Sequence, residues 1–513
     1  MVAILSQGLV KSSLVVAVMT LISRLMGFAR DIVIANLFGV NAATDAFFVA
    51  FRIPNFLRRL FAEGAFANAF VPSLSRLDNQ ADRLSLQAFT DRSAGSLSLV
   101  MLCLSVLGVF LAPVLIVLFA PGFVWQGGQY QLSIQFLQIT FPYLLFITLT
   151  AFAGSILNAK GRFAIPALTP VVLNLVLILA AIYLAPLMTE PVTALAWGVL
   201  LAGIVQLAIQ IPALLQAKLL PRPRLGFSDP NVRQMLKSMP SAIFGVSVVQ
   251  INLLIDTVFA SFLPVGSISW LYYSDRLVEF PLGLLGGALA AVILPRLANH
   301  YALDDQHGFS KSMDWGLRWV LLLGLPASSG LSLLAEPIIA SLFQHQAFSA
   351  HDTLMASHSL MAFASGLLGF VMIKILVPGF TARHDTRTPL RLGYYAVFAN
   401  LILNAVFLLP LAHAGPALAT SLAAYLNAAS LLIVMIKRGL YQPAGGWAVF
   451  ILRIFFANFV MATCLYLWLE GDLWGLSYRA NDSLQLLISI LGALIVYAVA
   501  LLASGLRPNS LKY

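Results

Sequence analysis

Long apolar runs follow one another along almost the whole chain, and that pattern leaves few folds open. Residues 96–119, 136–157, 165–184, 192–214, 360–380 and 484–503 each supply about the 20 residues that a helix needs to cross a bilayer. Only 10% of the 513 residues are charged, where a soluble domain has roughly 25%; core packing alone does not account for so few. A transmembrane barrel would show alternating segments of about 10 residues, and the runs here are continuous and longer. The expected class is therefore an all-α polytopic membrane protein.

About 14 stretches reach crossing length: 17–37, 44–70, 96–119, 133–157, 165–184, 192–214, 243–263, 267–294, 315–343, 355–380, 389–411, 415–436, 447–469 and 484–503. Loop charges test the order. Basic residues fall in alternate loops: Arg76, Arg83 and Arg92; Lys160 and Arg162; Lys218, Arg222, Arg224, Arg233 and Lys237; Arg296, Lys311 and Arg318; Arg383, Arg387 and Arg391; Lys437 and Arg438; and the tail with Arg507 and Lys512. The intervening loops are nearly free of Lys and Arg, apart from Arg479. Cytoplasmic loops retain positive charge, so both termini are expected in the cytoplasm. The same rule explains the net charge of +10 without nucleic acid. The first run lacks a small-residue cleavage site and reads as an uncleaved span. Cys103 and Cys464 lie in apolar spans and are expected to be small core residues rather than a disulfide or metal pair.

One internal register recurs. Pro72 and Pro295, Lys160 and Arg383, Pro166 and Pro389, and Ala194 and Ala417 each stand 223 residues apart. The chain thus reads as two six-span lobes, 1–222 and 223–445, followed by two added spans and a cytoplasmic tail in 446–513. An even span number makes the repeats parallel. Transporters built from repeats bind substrate between them and alternate access.

Charge sits where lipid would reject it. The first span carries Arg24, Arg30 and Asp31. The second carries Asp45, Arg52, Arg58, Arg59 and Glu63, with Asp45, Arg52 and Arg59 spaced by seven on one face. The eighth carries Asp275, Arg276 and Glu279. A charge at mid-bilayer costs several kcal/mol if it faces lipid, so these side chains must face protein or a watered cavity. Structural pairing, such as Arg59 with Glu63, or Arg24 or Arg30 with Asp31 or Asp45, is the bland account. A cavity for a charged substrate is the functional one. With Asp256 included, six arginines face six carboxylates, so charge alone does not fix the substrate's sign. Chemistry favours an anion: arginine keeps its charge when desolvated, and its planar fork suits phosphate. Carboxylates between the arginines would hold them apart and pair with them after release.

Asp256 stands alone in the seventh span. Asn400 and Asn404 lie one turn apart in the eleventh, and Thr420 is in the twelfth. Their oxygens suit Na⁺; a hydrogen-bonded helix contact is the plainer reading. Lys374 in the tenth span lines a cavity or snorkels, and His345 and His351 fall in a solvated loop. There is no nucleotide-binding G-x-x-x-x-G-K-[ST], no H-E-x-x-H and no G-x-S-x-G, so no enzyme is expected. Energy for transport must come from an ion gradient, the membrane potential or the substrate's own gradient.

Several segments resemble the MurJ (MviN) family: Gly27-Phe28-Ala29-Arg30-Asp31, residues 43–51, Pro54-Asn55-Phe56-Leu57-Arg58-Arg59, residues 61–66, Asp275-Arg276-Leu277 with Glu279-Phe280-Pro281, and Pro378-Gly379-Phe380. The resemblance runs from the first span through the twelfth. It implies a lipid II flippase of the MOP exporter superfamily in the bacterial inner membrane, moving the undecaprenyl-pyrophosphate-linked peptidoglycan precursor from cytoplasmic to periplasmic leaflet for cell-wall synthesis. It also implies 14 helices, a central cationic cavity between two lobes, and a groove bordered by the last two helices. The family's functional arginines fall on Arg24, Arg30, Arg58 and Arg276, and its carboxylates on Asp31, Asp45 and Glu63. Arg52, Arg59, Asp275 and Glu279 are read as cavity or gating residues beside them. A sodium site in some members matches Asp256, Asn400, Asn404 and Thr420, with Asn404 where some have a carboxylate. No tightly bound cofactor is expected; Na⁺ is the candidate coupling or structural ion. Lipid II, membrane lipids and other cell-wall synthesis proteins are the expected partners. The rival readings are another MOP-type exporter, either a polysaccharide-lipid flippase or a drug/cation antiporter, and a membrane glycosyltransferase. An antiporter would favour acidic cavity residues, and a glycosyltransferase would need a D-x-D pair and a large outside loop.

Overall fold

The computed structural model describes residues 2–60, 70, 72, 74, 76, 83–470 and 483–506, with side chains described from residue 15 onward except 83, 84, 238–250 and 253. Every regular element among them is helical. In chain order the α-helices are α1 (Val2–Phe38), α2 (Ala42–Arg58), α3 (Arg83–Phe110), α4 (Ala112–Phe119), α5 (Gly128–Thr140), α6 (Tyr143–Ala159), α7 (Ala164–Leu179), α8 (Thr193–Gln216) and α9 (Pro230–Ala260). They continue with α10 (Ser267–Pro281), α11 (Gly287–Ala302), α12 (Gln306–Leu333), α13 (Ala335–Phe343), α14 (Ala350–Ser365), α15 (Leu367–Thr381), α16 (Arg387–Leu411), α17 (Ala414–Lys437), α18 (Trp447–Glu470) and α19 (Ser483–Ala503). Eleven stretches among the described residues are long and apolar enough to cross a membrane. Helices α1, α2 and α9 lie outside those eleven and overlap the stretches 17–37, 44–70 and 243–263, the second of which lies partly outside the described residues.

Four spans that read as unbroken are each interrupted. The 96–119 run stops at Leu111, because Pro113 in the first turn of α4 offers no N–H to the helix before it. The 133–157 run breaks at Phe141-Pro142, and the 315–343 run at Leu334. The 355–380 run breaks at Gly366, where a Cβ would lie 2.6 Å from the Ser421 Cα, so only glycine lets α17 come this close. Helix starts are well specified. Asn41 caps α2, accepting from the Ala43 and Thr44 amides at 2.9 and 3.0 Å, while Thr44 Oγ1 accepts from the Asn41 amide at 2.9 Å. Asp229 caps α9, whose first residue is Pro230.

The chain forms two compact units, Met1–Gly266 and Ser267–Tyr513. In the first, α2 packs on α5, α3 on α6, and α8 on α5, α6 and α7; α9 lies against α3 and α4. In the second, α10 packs on α14, α12 on α15, and α17 on α14, α15 and α16; α18 packs on α12 and α19. The pairings correspond, and so does the spacing: α3 and α12 begin and end 223 residues apart. The sequence repeat therefore recurs as a series of elements, while the compact units divide at Gly266, keeping α9 with the helices before it.

Cys103 and Cys464 are exposed on their helices rather than in a core. Apolar composition does not separate the face packed on protein from the one that in a membrane meets lipid. His345 and His351 are exposed, as expected, and Lys374 is exposed with its stem against Gly286.

Candidate functional site

In the first unit the charged residues of α1 lie at different depths. Arg24 is exposed, whereas Arg30 and Asp31 are buried. Arg30 Nε and Nη2 both donate to Asp31 Oδ1, at 3.0 and 2.6 Å. The remaining arm, Nη1, donates to Asn174 Oδ1 on α7 at 3.0 Å. A buried cation beside a carboxylate and a neutral acceptor keeps its charge and its aim, because guanidinium does not deprotonate on desolvation.

Helix α2 places three further residues. Asp45, 1% exposed, accepts the Gly266 amide at 2.6 Å and Gln129 Nε2 at 3.4 Å. Two turns on, half-buried Arg52 donates to Thr257 Oγ1 on α9. At the helix end, half-buried Arg58 donates through Nε to Asn55 Oδ1 at 2.9 Å, and Arg59 is also half-buried. Of the three residues spaced by seven, Asp45 is buried and Arg52 and Arg59 are half-buried. Glu63 lies outside the described residues.

In the second unit, α10 presents Tyr272, Asp275, Arg276 and Glu279, all half-buried, at i, i+3, i+4 and i+7, while Tyr273, Ser274, Leu277 and Val278 are buried on its other side. Arg276 Nη1 donates to Glu279 Oε2 at 2.8 Å, and its guanidinium stands 5.1 Å from the Tyr272 ring centre. The helix therefore packs one side fully into its own unit and carries its charged residues on the less buried side.

Comparison with known proteins identifies the family. The family model described as "Lipid II flippase MurJ" matches residues 34–477. A curated relative from Vibrio cholerae, named "Probable lipid II flippase MurJ", is 44% identical over 99% of this chain and 98% of its own. Another from Burkholderia cenocepacia, named "Lipid II flippase MurJ", is 38% identical over 99% and 98%. The chain belongs to the MurJ family. A solved structure titled "Lipid II flippase MurJ, inward closed conformation" superposes with a TM-score of 0.81 at 28% identity, covering 95% of this chain and 98% of that one. An inward-facing multidrug resistance MATE transporter of the MOP superfamily reaches 0.67 at 14% identity over 81% and 94%, and shares the fold alone.

In this MurJ family member three polar side chains of the second unit bond one another. Asn404 Nδ2 donates to the Asn400 carbonyl at 3.0 Å and to Asn400 Oδ1 at 3.2 Å, and Thr420 Oγ1 donates to the same Oδ1 at 3.3 Å. Asn400 and Asn404 are fully buried. Asp256, also buried, belongs to α9 of the first unit. Asn400 Oδ1, Asn404 Oδ1 and Thr420 Oγ1 are all oxygens of the kind that suit a hard monovalent cation, and the Asn404 amide nitrogen is turned to Asn400. No cluster of three or more His, Cys, Asp or Glu that could hold a metal exists among the described residues.

Sequence reasoning missed Asn174, Gln129, Thr257 and Tyr272. Asn174 did leave a signal: it is the sole polar residue in 170–182, and a polar side chain in an apolar membrane helix needs a partner. Gln129 and Thr257 act through neighbours far away in sequence, which no local pattern reveals.

Proposed function

We propose that this protein is a lipid II flippase of the bacterial inner membrane, a multi-pass transporter and not an enzyme, moving the lipid-linked precursor from the cytoplasmic to the periplasmic leaflet for cell-wall synthesis. The full-length match to relatives named lipid II flippases carries the reading. It is supported over another MOP-type exporter because both curated names specify lipid II, while the MATE likeness extends only to the fold.

The residues suggest how the task is met. A pyrophosphate headgroup crossing the bilayer must exchange its water and counter-ions for fixed partners. Arg24, Arg30, Arg58 and Arg276 are the substrate-binding set: permanently charged, fork-shaped donors on helices that lipid alone would not accommodate. The carboxylates Asp31, Asp45, Glu63, Asp275 and Glu279, with Arg52 and Arg59, tune that set. Asp31 and Glu279 already accept from Arg30 and Arg276. Arg30 and Arg276 would therefore trade one anion for another, which keeps binding tight enough to load and weak enough to release. The lipid tail stays in the bilayer throughout. Alternating access of the two lobes would carry the headgroup across. Na⁺ is the candidate coupling or structural ion, Asp256, Asn400, Asn404 and Thr420 are the residues to substitute first, and replacing Na⁺ by choline should slow transport. Other cell-wall synthesis proteins would act as partners on either side of the flipping step.

The test is depletion of the protein in cells with a leaflet-access measurement of lipid II, complemented by wild type, Arg24→Ala or Arg276→Ala. Lipid II should accumulate on the cytoplasmic side on depletion and with either variant. Unchanged access on depletion overturns the function; normal rates with both variants overturn the site.

A further inference from the structure

Asn174 touches two parts of α1 at once. Its Oδ1 accepts Arg30 Nη1 at 3.0 Å, and its Nδ2 donates to the Ser23 carbonyl at 3.2 Å. The amide orientation follows from chemistry: guanidinium has only donors and the carbonyl only accepts, so one orientation alone satisfies both. Gly27 leaves the room, since a Cβ there would already touch Asn174 Nδ2 at 3.4 Å. The supporting helix is fixed behind it. Gln206 and Gln210 of α8 donate to the Thr169 carbonyl and Oγ1 at 2.7 and 3.3 Å, just before Pro170. Asn174 is 6% exposed and Arg30 5%.

We infer that Asn174 is a positioning residue for Arg30. It holds the guanidinium in a stowed orientation beside Asp31 and, being neutral, releases it to the pyrophosphate. This rests on the reading of Arg30 as a substrate-binding residue. The division of partners is the argument. Asp31 takes two arms with a full charge, and Asn174 takes the third without one. A hydrogen bond to a charged acceptor is roughly twice as strong as one to a neutral acceptor, so a second carboxylate at position 174 would hold Arg30 too firmly to exchange partners. A residue that merely stapled α7 to α1 would need only the bond to Ser23.

The inference is tested with the full-length protein, following lipid II translocation and checking that each variant accumulates and elutes as one species. Asn174→Asp should slow translocation about tenfold, the change that one strengthened charge-assisted hydrogen bond implies. Asp31→Asn removes the anion to which Arg30 returns after release, and should also be slow. The double variant Asp31→Asn/Asn174→Asp lacks the bond to Ser23 just as Asn174→Asp does, but it moves the carboxylate across the guanidinium without changing the local charge, so it should recover part of the rate. A wild-type rate for Asn174→Asp, or a double variant as slow as the slower single one, overturns the inference. Should Asn174→Asp fail to accumulate, Asn174→Ser carries the test: its hydroxyl is too short to reach Arg30, so affinity for undecaprenyl pyrophosphate should rise several-fold, and an unchanged or weaker affinity overturns the inference. Arg30→Ala separates the two layers. If it translocates normally, the reading of Arg30 fails; if it is inactive while the Asn174 variants are normal, only the role of Asn174 fails.

Discussion

Single residues at odds with their surroundings were the legible ones. Arg30, Asp31, Asp45 and Arg276 stand out because an ionised group in an apolar span needs a reason, and each has acquired partners in the structure. What the sequence could not show is which partner. Arg30 pairs with its own neighbour Asp31 and then reaches Asn174, 144 positions away. Outside the spans, Asp229 shows how one carboxylate serves two ends. It caps α9 and accepts Arg92 Nη1 at 2.6 Å. Burial pushes its pKa up, but the bonds from Arg92 and the Asn231 and Val232 amides outweigh that and hold it below the ordinary 3.8. A folded-state value below the unfolded one means the stabilisation is present above about pH 4 and is lost as pH falls through the folded value. Asp229→Asn keeps a capping oxygen and loses only the charge, and Arg92 is half exposed, so the cost at pH 7 should be no more than about 1 kcal/mol. Thermal melts in detergent should show the gap between wild type and variant widest near neutral pH and closing below pH 4; a constant gap would remove the charge from the account.

At the scale of elements, hydropathy located the helices but not their joints. Apolar runs report burial in lipid or protein without distinguishing a continuous helix from two helices meeting at Pro113, Pro142 or Gly366. Close approaches are equally silent. The segment after α8 crosses α3 at Gly95, where a Cβ would sit 2.2 Å from the Arg224 carbonyl oxygen. Bonds that secure that crossing include Arg222 N to Asp91 Oδ1 at 2.8 Å, Arg224 N to the Asp91 carbonyl at 3.0 Å, and Gly226 N to Ser96 Oγ at 3.0 Å. Backbone cannot rotate aside as a side chain can. Gly95→Ala should therefore push the segment off α3, at a cost of about 1–3 kcal/mol, read as a lower melting temperature together with faster protease cleavage in 219–229. A variant as stable and as resistant as wild type would show that the segment can shift without losing its bonds.

Across the whole molecule, the 223-residue repeat extends to a device that the sequence landmarks did not include. Asp91 on α3 and Asp314 on α12 stand at equivalent positions, and both are buried. Asp91 fixes the chain that leaves α8 toward α9. Asp314 fixes the chain that leaves α17 toward α18: its Oδ1 accepts from the Tyr441 hydroxyl, from Trp447 Nε1 at 3.0 Å and from the Ala444 amide at 3.3 Å. The Tyr441 phenol, pushed up by burial and by its bond to Asp314, remains a donor throughout the working range. Each connector is thus bound to the helices before it, so any rearrangement of α9 or α18 must begin beyond the clamp. The two clamps lie in separate compact units and share no partner, so their effects should add. Asp91→Ala should raise amide exchange in 219–229 and Asp314→Ala in 438–446, each leaving the other segment protected. Each should cost about 2 kcal/mol, because a partly buried N–H loses a charged acceptor. The double variant should lose the sum. Exchange that rises in both segments with either single variant would mean that the connectors are coupled through the molecule, and the picture of two independent anchors would have to be abandoned.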